Sequence, residues 1–131
     1  MIEMRWGRVI NIASVMSKIG GKYVAAYTAA KHGLLGLTRA LAVELAGYNI
    51  TANAICPGYV NTPMTDDNVA NIVSKTGMPE AEARIALEKL SPQNRLIEVG
   101  EVAAVVMTLA SDNAQGINGQ AINIDGGAVM F

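Results

Sequence analysis

Tyr27 and Lys31 stand four residues apart, a spacing that on an α-helix puts a phenol and an ammonium on one face, a turn from each other. A cation beside a phenol favours the phenolate, so Lys31 is expected to ease proton loss from Tyr27 and make it a usable general acid or base. Ser14 lies thirteen residues upstream of Tyr27, directly after a short β-branched run. A strand there can hold the hydroxyl rigidly and aim it into the crevice at the strand's carboxyl end, where it can donate to a carbonyl or alkoxide oxygen. Random placement in this composition yields a Tyr-x-x-x-Lys pair roughly 0.15 times, and the pair with a serine at that offset roughly 0.006 times. The pair alone is weak; the three residues together are the signal.

A second feature is Pro57-Gly58-Tyr59-Val60-Asn61-Thr62-Pro63. Gly58 lets the backbone turn and approach a ligand, while Pro57 and Pro63 stiffen the loop. Backbone groups near Val60 and the Thr62 hydroxyl can then satisfy an amide-bearing ligand. An ordinary turn also explains Pro-Gly after a strand.

The elements that must position these groups follow from hydrophobic periodicity. Residues 9–13 read as a buried strand and residues 14–22 as a loop with Gly20 and Gly21. Residues 27–46 read as a long helix whose Leu34, Leu37, Leu41 and Leu45 form one apolar stripe. Gly33 and Gly36 inside it imply that something packs very close, since each costs about 1 kcal/mol against Ala. Residues 50–56 form a second strand, residues 61–93 an irregular polar excursion with a helix starting at Pro79, residues 99–110 another amphipathic helix, and residues 120–124 a third strand. That order predicts one α/β unit with a parallel sheet.

Composition narrows the function. The 131 residues are 51% hydrophobic and 16% charged with formal net charge -1, which excludes a disordered chain and a basic nucleic-acid grip. The single cysteine, Cys56, makes neither an internal disulfide nor a zinc site, so a reducing cytoplasm is expected. Residues 1–8 lack an apolar signal core, and no run approaches a membrane span.

In order and spacing, Asn11-Ile12-Ala13-Ser14, Tyr27-Thr28-Ala29-Ala30-Lys31, Asn53-Ala54-Ile55-Cys56-Pro57-Gly58, Thr62-Pro63, Glu101-Val102-Ala103 and Ile124-Asp125-Gly126-Gly127 resemble the C-terminal half of a short-chain dehydrogenase/reductase. The resemblance covers nearly the whole chain and implies three strands with crossover helices from a Rossmann-like, doubly wound parallel sheet. It implies reversible hydride transfer between NAD or NADP, NAD being favoured, and a secondary alcohol or ketone. Tyr27 would be the general acid/base, Ser14 would hold the substrate oxygen, and Lys31 would bind the nicotinamide ribose and pass protons. The Val60 backbone and Thr62 hydroxyl would hold the nicotinamide carboxamide, with Pro57 and Gly58 shaping that wall. The long helix and last strand would make it a homo-oligomer, dimer or tetramer. A 3-hydroxyacid or 3-oxoacyl substrate fits the wording of residues 55–60 and the lid of about residues 64–96.

Such enzymes run to about 250 residues as one domain. The glycine-rich strand-turn-helix that seats the pyrophosphate is absent here, which implies that residues 1–131 are the catalytic half of a domain without its dinucleotide-binding half, inactive alone and with an open sheet edge. A non-catalytic oligomerisation module is the alternative. An extended-type epimerase or dehydratase shares the Tyr-x-x-x-Lys pair but not residues 57–62 or the Asp-Gly-Gly ending.

The remaining candidates have plainer readings. His32 is one residue round the helix from Lys31 and off its face, and Tyr23 has no lysine four residues on. Cys56 reads as a buried inert thiol, and Asp66 and Asp67 as solvated carboxylates. Met64, Ile72, Val73, Met78, Ile85 and Leu90 fit either an apolar pocket or helix packing.

Overall fold

β1 (Gly7–Ile12), β2 (Ile50–Pro57) and β3 (Ala121–Ile124) make a three-stranded parallel sheet in the order β1-β2-β3 in the computed structural model, which describes residues 1–131. The register pairs Gly7 with Ile50 and Ile12 with Ile55 on one side of β2, and Ala54 with Ala121 on the other. β2 is buried along its whole length, as a parallel strand covered on both faces must be.

Helix α1 (Ala25–Leu45) covers one face, where Leu35 packs with Ala13, Ala54 and Cys56 and Asn11 Nδ2 donates to Thr38 Oγ1 at 2.9 Å. Arg8 lies three residues before Asn11 on the same strand and therefore points to the opposite face. There it reaches the end of α4 (Val99–Ala110), its Nε donating to the Ser111 carbonyl at 3.5 Å. The expected α/β arrangement with helices on both faces is present. No helix is long and apolar enough to cross a membrane.

Two expectations about α1 need correction. The residues it buries are Leu35, Thr38 and Ala42; the leucine stripe only flanks that face, and Leu37 is 52% exposed. Small groups win because the helix lies close to the sheet connections: a Cβ on Gly119 would sit 3.4 Å from the Ala42 Cβ. Nothing packs close to Gly33 or Gly36, where an added Cβ would meet no atom within 4 Å. Both glycines lie with Leu37, Ala40 and Val43 on an outward face of small and apolar residues.

The stretch after β2 is more ordered than its polarity suggested. α2 (Pro63–Thr76) begins with Pro63 in its first turn and stops at Gly77, whose φ of 72° lets its N–H reach the Val73 carbonyl. α3 (Glu80–Glu88) follows Pro79, with Glu80 and Glu82 at the positive end of its dipole. The two helices close on Val69, Ala83 and Leu87, with Ile72, Val73 and Met78 packed against them. Arg84 on α3 pairs with Asp66 on α2, whose carboxylate stays exposed to solvent as expected, like that of Asp67.

The connection from α4 to β3 is stitched into β2 by two asparagines. Asn53 Nδ2 donates to the Ile117 carbonyl at 2.7 Å, and its Oδ1 accepts the Gln120 N–H at 3.0 Å. Asn118 Oδ1 accepts the Ala52 N–H at 2.9 Å, and its Nδ2 donates to the Ala42 carbonyl on α1 at 2.9 Å. β2, β3 and α1 are thereby fixed relative to one another.

Candidate active site

The carboxyl ends of β1 and β2 and the first turn of α1 meet at one edge of the molecule. Ser14 is 8% exposed and caps the 3-10 turn Val15–Ser17: its Oγ accepts the Met16 N–H at 3.1 Å. With an acceptor position filled by the turn, the hydroxyl proton stays available for donation. Behind Ser14 lies Cys56, fully buried in β2. Burial pushes its thiol pKa up, while the charge of Lys18 and a hydrogen bond from the Ser14 backbone pull the other way. The thiol is thus a packing group that supports the Ser14 backbone.

Tyr27 sits in the first turn of α1, 43% exposed. Lys31, a turn later, places its ammonium 5.6 Å from the ring centroid and donates to the Ile12 carbonyl at 3.0 Å. The pair therefore shares a face as the spacing required, and the lysine ties that face to the strand bearing Ser14. His32 is turned away, its Nδ1 3.0 Å from the Thr28 carbonyl. Tyr23 is fully exposed in the preceding loop, at a φ of 65°.

The loop after β2 is held from both sides. Val60 bridges Ile97, with the Ile97 N–H bonded to the Tyr59 carbonyl at 2.9 Å and the Asn61 N–H to the Ile97 carbonyl at 2.8 Å. The Val60 carbonyl accepts two hydroxyls, from Thr65 at 2.6 Å and from Thr62 at 3.3 Å. That leaves the Thr62 oxygen free to accept, next to a backbone carbonyl already in use. Gly58 has no positive φ, so it is not left-handed backbone that calls for a glycine here. Its lack of a side chain admits Asp125, whose Cβ and Cα would lie 3.1 and 3.2 Å from an added Cβ.

A cavity of about 80 Å³ opens beside these groups, lined by Val15 and Met16 after Ser14, by Gly58 and Tyr59, and by Leu87, Leu90, Arg95, Ile97 and Asp125 among others. Of the six lid residues named from sequence, only Leu90 lines it. Ile72, Val73 and Met78 are occupied in α2–α3 packing, and Met64 and Ile85 are exposed. Arg95 and Asp125 were not singled out as site residues. Arg95 follows the turn at Pro92–Gln93 and meets the cavity only through distant elements, while Asp125, at the end of β3, was visible in sequence only as part of the Asp-Gly-Gly ending.

The chain matches the family profile described as Enoyl-(Acyl carrier protein) reductase over residues 1–129. It is 39% identical over 128 residues to D-beta-hydroxybutyrate dehydrogenase of Rhizobium meliloti, covering 97% of this chain and 50% of that protein. It is 41% identical over 130 residues to 3-oxoacyl-(acyl-carrier-protein) reductase FabG of Pseudomonas aeruginosa, covering 99% of this chain and 48% of that protein. A solved structure of a variant actinorhodin polyketide ketoreductase with NADPH superposes with a TM-score of 0.93 at 38% identity, over 98% of this chain and 49% of that one. The chain thus spans about half the length of the relatives it matches.

Proposed function

Because the chain belongs to the short-chain dehydrogenase/reductase family, we propose that it is the catalytic half of a nicotinamide-dependent oxidoreductase acting on a secondary alcohol or ketone. The relatives' names support a 3-hydroxyacid or 3-oxoacyl substrate. In this reading the dinucleotide-binding half is supplied from outside residues 1–131, and the 131-residue polypeptide alone does not turn over. NAD or NADP, when bound, supplies the hydride acceptor or donor.

The chain's own groups do the rest. Ser14 donates its hydroxyl proton to the substrate oxygen and fixes it beside Tyr27. In ketone reduction Tyr27 gives its phenolic proton to that oxygen as the carbon is reduced, and in alcohol oxidation it takes the proton back. Lys31 holds the nicotinamide ribose hydroxyls and conducts the proton that restores Tyr27. The Val60 backbone N–H and the Thr62 oxygen hold the carboxamide, with Pro57 and Gly58 forming the wall. The fit of these residues to the cofactor rests on the doubly bonded Val60 carbonyl, which turns the Thr62 oxygen into an acceptor for an amide N–H.

The observation that carries the reading is the bond from Lys31 to the Ile12 carbonyl, which brings the Tyr-Lys face of α1 to the strand end bearing Ser14. The test is oxidation of NADH or NADPH with a 3-oxoacyl ester. The 131-residue chain alone gives none, and adding a polypeptide that carries a relative's dinucleotide-binding half restores it. Turnover at an ordinary enzyme rate by the chain alone overturns the proposal.

The outward face of α1, with Gly33, Gly36, Leu37, Ala40 and Val43, supports self-association as a dimer or tetramer; a cytoplasmic location rests on the lone buried cysteine alone. The same face favours the second reading, a non-catalytic oligomerisation module. Sedimentation tests the association, and failure of the dinucleotide-binding half to restore turnover selects the second reading.

A further inference from the structure

The cavity beside Ser14 has one cation on its wall, and that cation is already held. Arg95 Nη1 and Nη2 donate to the two carboxylate oxygens of Glu101, each at 2.7 Å, and Nη1 also donates to the Leu96 carbonyl at 3.0 Å. The forked geometry fixes the guanidinium plane. Glu101 is anchored from its own side as well, accepting the Glu98 N–H at 2.7 Å in the capping box of α4.

The other charged side chain on the wall is Asp125. It is buried, and its oxygens accept the N–H groups of Gly127 at 2.9 Å and Val129 at 2.8 Å. Val15, Met16, Leu87, Leu90, Ile97 and Ala128 make most of the remaining surface apolar. A carboxylate entering this space would exchange its hydration for apolar wall and an aspartate, with no unengaged cation to meet it.

We propose that the cavity takes the uncharged aliphatic part of a carbonyl substrate and disfavours a free carboxylate near the reacting carbon, and that Glu101 sets this preference by holding Arg95. The proposal rests on the reading of Ser14 as the group that holds the substrate oxygen. It separates two substrate types that the family relationship leaves together, a 3-oxo acid anion and a 3-oxoacyl ester or thioester. Glu101 is a positioning residue: it acts through Arg95 and touches no substrate.

The test uses the 131-residue chain labelled with ¹³C at its methionine methyl groups, the Met16 signal being assigned with Met16→Leu. Acetoacetate, an anion, and its methyl ester, which is neutral and larger by one methyl group, are titrated separately, with 2-pentanone as a neutral compound of acetoacetate's chain length lacking the ester methyl. The ester and 2-pentanone are expected to shift the Met16 methyl saturably at concentrations where acetoacetate does not. Glu101→Gln keeps the capping contact but frees the Arg95 charge, so acetoacetate should gain up to about fivefold in affinity with the ester unchanged. Arg95→Leu should leave the preference for the ester as it is.

Binding of acetoacetate by the wild-type chain as tight as that of either neutral compound overturns the proposal, as does a Met16 signal that responds to none of the three. No gain for acetoacetate in Glu101→Gln overturns the part assigned to Glu101, and a loss of preference in Arg95→Leu shows that the arginine was not silent. Failure of the catalytic reading looks different. If Ser14→Ala leaves turnover of the reconstituted enzyme unchanged, the role of Ser14 falls while the cavity's preference stands.

Discussion

Lys31 Nζ donates to the Ile12 carbonyl oxygen at 3.0 Å, so the ammonium carried by α1 is moored to the last residue of β1. One bond thereby fixes the distance between a helix start and a strand end that share no local sequence. It also orients the Tyr27 ring, since the same ammonium lies 5.6 Å from its centroid.

Removing the phenol should therefore cost chemistry and little stability. Tyr27→Phe is expected to lower turnover of the reconstituted enzyme by about 10²–10⁴-fold, the usual worth of a general acid. Tyr27 is 43% exposed, so the denaturant midpoint of the 131-residue chain should barely move. Lys31→Met should lower both, because it also frees the Ile12 carbonyl. Kinetics and chemical denaturation on the same preparations check both.

The α4 start should fail in acid. The Arg95 guanidinium and the Glu98 N–H hold the Glu101 carboxyl at about 2, below its ordinary 4.5. A folded-state value below the unfolded one stabilises above pH 4.5, and the contribution is lost as pH falls toward 2. Circular dichroism from neutral pH down to 2 should show wild type losing stability more steeply in that window than Glu101→Gln.

Gly58→Ala should disturb both the cofactor loop and the cavity wall. Its new methyl would come within 3.1–3.2 Å of Asp125 Cβ and Cα, where backbone has to move. A loss of about 1–3 kcal/mol is expected in urea unfolding, the usual cost of overpacking. An unchanged midpoint would show that the β2 and β3 ends can part freely.

Asn53→Ala should be costly for a substitution far from the chemistry. Asn53 is buried and satisfies both the Ile117 carbonyl and the Gln120 N–H, two groups left without partners in the variant. About 2–4 kcal/mol of unfolding free energy should be lost. A drop below 1 kcal/mol would mean that water replaces the side chain.

The strands, α1 and α4 were legible because period and punctuation agreed in each: residues 99–110 bear a clean helical spacing, and that helix runs Val99–Ala110. The juxtaposition of Tyr27 with Lys31 followed from spacing alone. α2 was not legible, since Asp66, Asp67, Asn68 and Asn71 give it a polar surface and its helicity depends on packing against α3. The Leu37 stripe misled because periodicity marks an apolar face without saying which neighbour covers it. Pairings such as Asn118 with Ala52, or Arg95 with the cavity, arise only when distant loops meet.

The sheet register orders assembly in time. Pairing Gly7 with Ile50 closes a shorter loop than pairing Ala54 with Ala121, and the entropic penalty of closure rises with loop length. The β1–α1–β2 unit, with Ser14, Tyr27 and Lys31, is therefore expected to form ahead of β3 and Asp125. Pulsed hydrogen exchange should protect the Ala13 amide, bonded to the Ile55 carbonyl, before that of Val129, bonded to Asp125. Simultaneous protection would remove the ordering. In the interval Met16, Leu87 and Leu90 face water without their back wall, and misassociation during refolding would begin at that patch.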